Sequence, residues 1–137
     1  MSYTVSWYIP DEILYLHYSG AITAEELRKS LMEMQSFIES SPRALVHSIH
    51  DAGDVSEFPS MKNSIEVIRD ASTHPRTGWS LSIREKSTLM KLGSTIGASL
   101  FKARFRAFDT LEQAITHLKS VDENLSWDKV AENFTES

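Results

Sequence analysis

The sequence contains 137 residues, with 14 lysine and arginine residues against 19 aspartate and glutamate residues, for a formal net charge of −5. This length and a hydrophobic fraction of 41% are typical of one globular domain that buries a core without disulfides or structural metals. The negative net charge disfavours a nucleic-acid partner, and the absence of cysteine excludes thiol catalysis. No signal peptide or membrane-spanning run is visible, so we expect a cytoplasmic protein without a transmembrane segment.

The first forty residues predict a hairpin followed by a helix. The segment 3–8 alternates apolar and polar side chains, the segment 12–18 is rich in aromatic and branched residues, and the Pro-Asp pair between them is typical of a turn. Thr23 and Glu26 have the spacing of a capping box, so a helix is expected to begin there. Pro42 ends this helix, because proline disfavours helical geometry in the residue before it.

Strands and helices then alternate to the end of the chain. Apolar or alternating segments at 44–50, 79–83 and 104–108 predict three further strands, and the sequence at 51–54 is typical of a turn. The intervening helices are expected to begin at Ser60, Ser87 and Thr110, and a short helical tail is expected over 126–137. On the second helix, the residues expected to face inward are Met61, Ile65, Ile68 and Ala71.

This order of elements predicts a single α/β domain spanning residues 1–137, with its core at about 3–120. The sheet is expected to be mixed, with an antiparallel hairpin at one edge, parallel strands beyond it, and helices packed mainly on one face. The prediction requires the segments 44–50 and 79–83 to lie side by side and to run in the same direction.

Two stretches of sequence resemble the STAS domain family, which includes anti-sigma-factor antagonists of bacteria. The first stretch runs from Tyr18-Ser19-Gly20 into Ile22-Thr23-Ala24-Glu25-Glu26-Leu27, and the second is Phe108-Asp109-Thr110-Leu111-Glu112-Gln113-Ala114. The resemblance covers residues 3 to 120 and implies a mixed sheet of four or five strands. It also implies a non-enzymatic, cytoplasmic regulatory module that acts on a protein partner.

In anti-sigma-factor antagonists, a serine at the start of the second helix is phosphorylated by a partner kinase. Their pattern there is an Asp-Ser pair followed by a small residue and glycine, whereas this sequence has Glu57-Phe58-Pro59-Ser60-Met61-Lys62. Only the serine has a counterpart, and the alignment also allows Ser56 or Ser64. The resemblance implies as an alternative that the domain binds lipid or another apolar ligand, as a looser subgroup of such domains is thought to do.

Ser60 is the candidate phosphoacceptor on physical grounds as well. A phosphate at a helix N-terminus would meet free backbone amides, the positive end of the helix dipole and the nearby Lys62. An ordinary helix cap explains the same serine completely, so both interpretations stand. The candidate interaction or ligand surface consists of Asp51, Asp54, Phe58, Ser60, Met61 and Lys62.

His47, His50 and Asp51 are candidates for metal binding or catalysis, because their side chains are common metal ligands and proton carriers. Residues three apart on a straight strand point to opposite faces, so His47 and His50 do not converge on one ion. No nucleophile motif or phosphate-binding loop accompanies His50 and Asp51. We therefore expect no enzyme activity, no cofactor and no metal. Asp51 and Asp54 follow a parallel strand, where ligands often bind, but they are also good turn residues.

Three other features allow two interpretations each. Arg104 and Arg106, with Lys102 nearby, favour either an anion site or a charged edge strand that resists pairing. Gly93 and Gly97 indicate a helix that approaches the sheet closely or opens a path to an apolar cavity. The apolar side of the tail, with Trp127 and Phe134, predicts either docking on the domain or self-association, and the hairpin edge offers a second route to a homodimer.

Overall fold

The computed structural model of the protein describes residues 2–71, 74–85 and 104–135. The strands are β1 (Tyr3–Ile9), β2 (Ile13–Ala21), β3 (Val46–Glu57), β4 (Thr77–Ile83) and β5 (Phe105–Phe108). The helices are α1 (Ala24–Ser40), α2 (Met61–Ala71), α3 (Leu111–Val121) and the single-turn α4 (Glu132–Thr135), and a 3-10 turn lies at Trp127–Lys129. The predicted helix at Ser87, with Gly93 and Gly97, lies outside the described residues, as does Lys102.

All five strands belong to one mixed sheet with the order β1-β2-β3-β4-β5. β1 and β2 form the antiparallel hairpin, and the remaining neighbours are parallel. Ile49 of β3 lies opposite Leu81 of β4, so the segments that the fold prediction required to be adjacent and parallel are so. The predicted α/β class and mixed sheet are therefore confirmed.

One face of the sheet packs against α1 and α2. The capping box at Thr23 and Glu26 is present, with the Glu26 amide donating to Thr23 Oγ1 at 3.1 Å. From this start, α1 buries one side against the hairpin. The buried residues of this side are Leu27, Ser30, Leu31, Met34 and Ile38. On α2, Ser64 and Val67 are buried and Ile65 is half-buried, while the side chains of Met61, Ile68 and Ala71 lie outside what the structure describes.

The other face of the sheet packs against α3 and the C-terminal segment, so the described helices lie on both faces. Ala114 and Leu118 of α3 are fully buried against Ile49, Leu81 and Ile83. Phe134 lies 4.9 Å, between ring centroids, from both Tyr8 and Tyr15 of the hairpin. The tail therefore docks on its own domain, because the second face of the sheet is apolar and needs cover.

The turn predicted at residues 51–54 is wrong, because β3 continues through it to Glu57. β2 extends to Ala21 and supplies pairing partners for the longer strand. The register shifts between His17, opposite Asp51, and Ser19, opposite Asp54, so β3 carries one extra residue there. Asp51 Oδ1 accepts a hydrogen bond from the amide of Gly53 at 3.0 Å. The local turn chemistry is therefore real, but it shapes a bulge and does not end the strand.

Candidate functional site

The carboxyl ends of β2, β3 and β4 meet at one edge of the sheet, because the three strands run in the same direction. α2 begins four residues after β3 ends, so its N-terminus belongs to the same region. This edge therefore gathers the residues that the sequence singled out between 51 and 64. Open parallel sheets characteristically bind their ligands and partners at this edge.

Ser60 forms the N-terminal cap of α2 and is exposed. Its Oγ accepts a hydrogen bond from the Asn63 amide at 3.2 Å, and its carbonyl accepts one from the Ser64 amide at 2.8 Å. Lys62 is exposed on the first turn of α2. Ser64, in contrast, is fully buried and donates through its hydroxyl to the Pro59 carbonyl at 3.2 Å. Of the two serines, only Ser60 is open to a kinase in the folded protein.

Ser56 lies near the end of β3, and Phe58 is the first residue of the connection to α2. The ring of Phe58 is half-buried and packs against the core beneath α1, which fixes the path of the chain into α2. Ser56 is exposed near the end of β3. Met61 is the first residue of α2, and its side chain lies outside the described part of the structure. The candidate surface therefore consists of the end of β3, which Phe58 anchors to the core, and the exposed first turn of α2.

A cluster of interacting polar side chains lies beside this surface, which we call the carboxyl-end cluster. Its centre is Asp51, which is only 5% exposed. Asp51 Oδ2 accepts from the Tyr15 hydroxyl at 2.6 Å, and Asp51 Oδ1 accepts from Arg84 Nε at 3.0 Å. Burial, reinforced by the bond to Asp51, raises the pKa of Tyr15 above its ordinary value. The members of the cluster are Tyr15, His17, Asp51, Asp54 and Arg84.

Arg84 adopts a backbone φ of +58°, which a non-glycine residue rarely adopts. Its amide donates to the Phe108 carbonyl at 3.2 Å, and its guanidinium lies directly over Gly53. A Cβ built on Gly53 would lie 2.3 Å from the Arg84 guanidinium, so only glycine leaves room for this contact. The bond to Asp51 raises the pKa of Arg84. Contacts on several sides thus hold a strained residue at the strand end.

Asp54 forms the exposed side of the carboxyl-end cluster. Its Oδ2 lies 2.7 Å from His17 Nε2 and 3.3 Å from an Arg84 terminal nitrogen. The hydrogen bond from His17, with the charge of Arg84, lowers the pKa of Asp54. The bulge in β3 positions Asp54 toward these partners across the strand pair. Sequence analysis identified Asp51 and Asp54 but missed Tyr15, His17 and Arg84, because only the strand order brings them to one edge.

His50 and Asp51 do not form an acid and base pair. As neighbours on a strand they point to opposite faces, and His50 Nε2 lies 2.9 Å from the Ser48 hydroxyl while Asp51 bonds Tyr15 and Arg84. Burial lowers the pKa of His50 to about 4. Across residues 2–71, 74–85 and 104–135, no group of three or more His, Asp or Glu side chains could hold a metal ion.

His47 belongs to a second cluster, at the amino end of β3. The Trp79 amide donates to His47 Nδ1 at 2.9 Å, so the ring proton is on Nε2 and is donated to Asp122 Oδ2 at 2.9 Å. Gly78 permits this close approach, since a Cβ there would lie 2.5 Å from His47 Nδ1. Burial lowers the pKa of His47 despite Asp122. This geometry holds His47 as a neutral, structural side chain.

Arg43 and Glu12 complete this amino-end cluster. An Arg43 terminal nitrogen lies 3.1 Å from Asp122 Oδ2, and another lies 3.5 Å from Glu12 Oε2. Glu12 also accepts from the amide and the hydroxyl of Ser126 at 2.6 and 2.8 Å. Burial acts to raise the pKa of Asp122, but the bond from His47 and the charge of Arg43 leave it lowered. The amino-end cluster consists of Glu12, Arg43, His47 and Asp122.

Arg104 and Arg106 lie at β5, the outermost strand of the sheet on the side away from β1. An Arg104 guanidinium nitrogen donates to the Thr77 carbonyl at 3.2 Å, and Arg106 lies over the Trp79 ring, 5.4 Å from its centroid. Both side chains thus engage the neighbouring strand β4. Their placement fits the edge-strand interpretation, in which charge discourages further pairing.

Solved structures with a similar arrangement of strands and helices include two of SpoIIAA. The Bacillus cell fate determinant SpoIIAA in its phosphorylated form is similar with a TM-score of 0.55 and 12% identity, over 85% of this chain and 98% of that one. The anti-sigma factor antagonist SpoIIAA in its unphosphorylated form gives a TM-score of 0.53 and 14% identity, over 87% and 99% of the two chains. The chain has the STAS fold. No family model and no curated protein matches the sequence, so the likeness is one of fold.

The comparison confirms the distant STAS resemblance and the fold that it implied. Among the helices that the structure describes, none is long and apolar enough to cross a membrane. The apolar-ligand alternative stays a prediction, because the glycine-bearing helix that would line such a cavity lies outside the described residues.

Proposed function

We propose that the protein is a non-enzymatic, cytoplasmic regulatory module of STAS fold that binds a protein partner through the surface around residues 51 to 64. Ser60 is the phosphoacceptor that controls this binding. The proposal rests on one observation above all: Ser60 is an exposed cap at the start of α2, beside the carboxyl edge of the sheet. The similar SpoIIAA structures carry names that state a phosphorylated and an unphosphorylated form.

The local chemistry supports a phosphate at Ser60. A phosphoserine there would accept hydrogen bonds from the free amides of the first turn of α2, one of which, from Asn63, already reaches the serine hydroxyl. Lys62 supplies a positive charge on the same turn. The carboxylate of Asp54, on the nearby strand end, is already engaged by His17 and Arg84. Phosphorylation would therefore change the charge of the surface without unfolding the helix.

Serine kinases from the source cell provide the direct test, with intact mass and peptide mapping as the measurement. We expect one phosphate on Ser60, none in a Ser60→Ala variant, and unchanged labelling in the matched control Ser56→Ala. Pull-downs should recover a partner with the unmodified protein, and Ser60→Asp should weaken this binding at least tenfold. Phosphate on Ser56 in place of Ser60 would contradict the proposal. So would a partner affinity that Ser60→Asp does not change.

A further inference from the structure

The two edges of the sheet differ in how they are protected. β5 has four residues, and Arg104 and Arg106 lie beside or within it. β1 has seven residues, Tyr3–Ile9, with no charged residue, proline or glycine among them. Natural edge strands are usually short, charged, bulged or covered, because an open edge recruits further strands. The β1 edge has a register irregularity only at its end, between Trp7 and Ile9.

The hydrogen-bond pattern fixes which backbone groups of β1 are open. The Ser19 amide donates to the Ser2 carbonyl at 2.8 Å, so up to the irregularity after Trp7 the backbone groups of the even-numbered residues Ser2, Thr4 and Ser6 bond to β2. The amide and carbonyl groups of Tyr3, Val5 and Trp7 therefore point away from the sheet. No backbone bond from another described segment reaches them. The C-terminal segment covers only the end of the strand, where the Ala131 amide donates to the Tyr8 carbonyl at 2.8 Å.

We propose that β1 pairs antiparallel with β1 of a second copy of this chain, about a twofold axis at Val5. This dimer surface goes beyond the proposed function. Only one register joins the open groups of all three residues: Val5 opposite Val5, and Tyr3 opposite Trp7 on both sides of the axis. It forms about six backbone hydrogen bonds and joins the two sheets into one. Because the C-terminal tail docks on its own domain, the β1 edge is the remaining one of the two predicted routes to a homodimer.

The side chains of β1 fit the same register. Tyr3, Val5 and Trp7 lie on the face that packs against α1, where Tyr3 is buried and the Trp7 ring lies 5.4 Å from that of Phe37, so the backbone bonds supply most of the contact there. On the other face, Thr4 lies opposite Ser6, which suits hydroxyl hydrogen bonds. The strand carries no charge to oppose a second copy. An interface of this length falls below the roughly 1,200–2,000 Å² of a standard stable complex, so we expect dimers only at high concentration.

Single-cysteine variants provide a sharp test, because the natural chain has no cysteine. In the proposed register two Val5 Cα atoms lie about 5.5 Å apart, within the range of a disulfide. Val5→Cys should therefore form a covalent dimer under mild oxidation. Thr4→Cys is the matched control, since two copies of residue 4 would lie about 7–8 Å apart on the diagonal. A mixture of Thr4→Cys and Ser6→Cys should crosslink as a heterodimer, because these positions face each other.

Sedimentation supplies an independent readout without thiols. The natural protein should pass from monomer to dimer as its concentration approaches about 1 mM, and added salt should favour the dimer by screening the net charge of −5 on each copy. Val5→Pro should remain monomeric while keeping its circular dichroism spectrum, because the amide that it removes points away from β2.

Three results would overturn the proposal. The first is a Val5→Cys chain that stays uncrosslinked at about 1 mM. Binding of an extended peptide of another protein to the β1 edge, in place of a second copy, counts as the same result. The second is Thr4→Cys crosslinking as readily as Val5→Cys. The third is a dimer that Val5→Pro does not dissociate. Because none of these variants touches Ser60, failure here is distinguishable from failure of the phosphorylation test.

Discussion

β3 carries a charged cluster at each end, and the two clusters differ in burial. At the amino end, the ring of His47 is 2% exposed and Asp122 is 15% exposed. Each accepts a hydrogen bond from a backbone amide, and Asp122 is also held by Arg43. At the carboxyl end, Asp51 is buried, but Asp54 is 56% exposed and Arg84 is 45% exposed. One end is sealed inside the fold, and the outer half of the other is open to water.

The difference shows how the same residue types serve two purposes. Buried ion pairs are costly to break singly, because the remaining partner keeps an uncompensated charge. The amino-end cluster therefore joins β3, the end of α3 and the start of the C-terminal segment into one unit. Exposed ion pairs contribute little to stability, so the outer half of the carboxyl-end cluster is free to respond to a partner or a phosphate.

The two clusters should differ most in stability when one carboxylate is removed from each. Asp122→Ala leaves the Nε2 proton of His47 without its acceptor and removes one of the two carboxylates beside Arg43, and we expect it to lower the free energy of unfolding by about 3 kcal/mol. Asp54→Ala is the matched control and should cause a much smaller loss, since water replaces its contacts. Urea denaturation of both variants measures the difference. Equal losses would contradict the division into a sealed and an open end.

Acid should destabilise the protein through the imidazoles of His47 and His50 in β3. The unfolded chain takes up a proton at His50 below about pH 6.5, whereas burial delays this in the folded protein until about pH 4. Stability is therefore lost as the pH falls through this window, by about 2 kcal/mol between about pH 7 and about pH 5. The lowered pKa of His47 acts in the same direction.

Urea titrations at several pH values check this prediction. His50→Gln should flatten the loss, because glutamine can still bond Ser48 without titrating. Asp54→Asn should leave the loss unchanged, since the pKa of Asp54 lies below its ordinary value of 3.8 and its contribution disappears only in stronger acid. A His50→Gln variant with the natural pH dependence would show that His50 is not the responsible group.

The smallest expected changes in stability come from variants of Arg84 and of Gly53, which lies beneath its guanidinium. Gly53→Ala should displace the guanidinium and lower stability by about 1 kcal/mol, because Arg84 is largely exposed and the buried Asp51 keeps its hydrogen bond from Tyr15. Arg84→Gly should be less destabilising than Arg84→Ala, because glycine adopts the positive φ without strain. If the double variant Gly53→Ala with Arg84→Ala loses as much as the sum of the single changes, the two residues do not act through their contact.

Local sequence rules predicted much of the fold and less of the site. Thr23 and Glu26 identified the start of α1 because a capping box depends on residues three apart in the chain. The turn predicted at Asp51 failed because the partner that extends β3, the end of β2, lies more than thirty residues earlier in sequence. Arg84 gave no signal at all, since its importance comes from φ and from contacts with distant residues.

The sequence by itself determined the order of the described strands and helices and the capping residues Thr23, Ser60 and Thr110, because periodicity and capping act over a few residues. The tertiary structure alone decided that β3 would run on to Glu57, that charged side chains from three strands would meet at one edge, and that the tail would cover the second face. These outcomes depend on strand order and on competition for buried surface, which involve residues far apart in the chain.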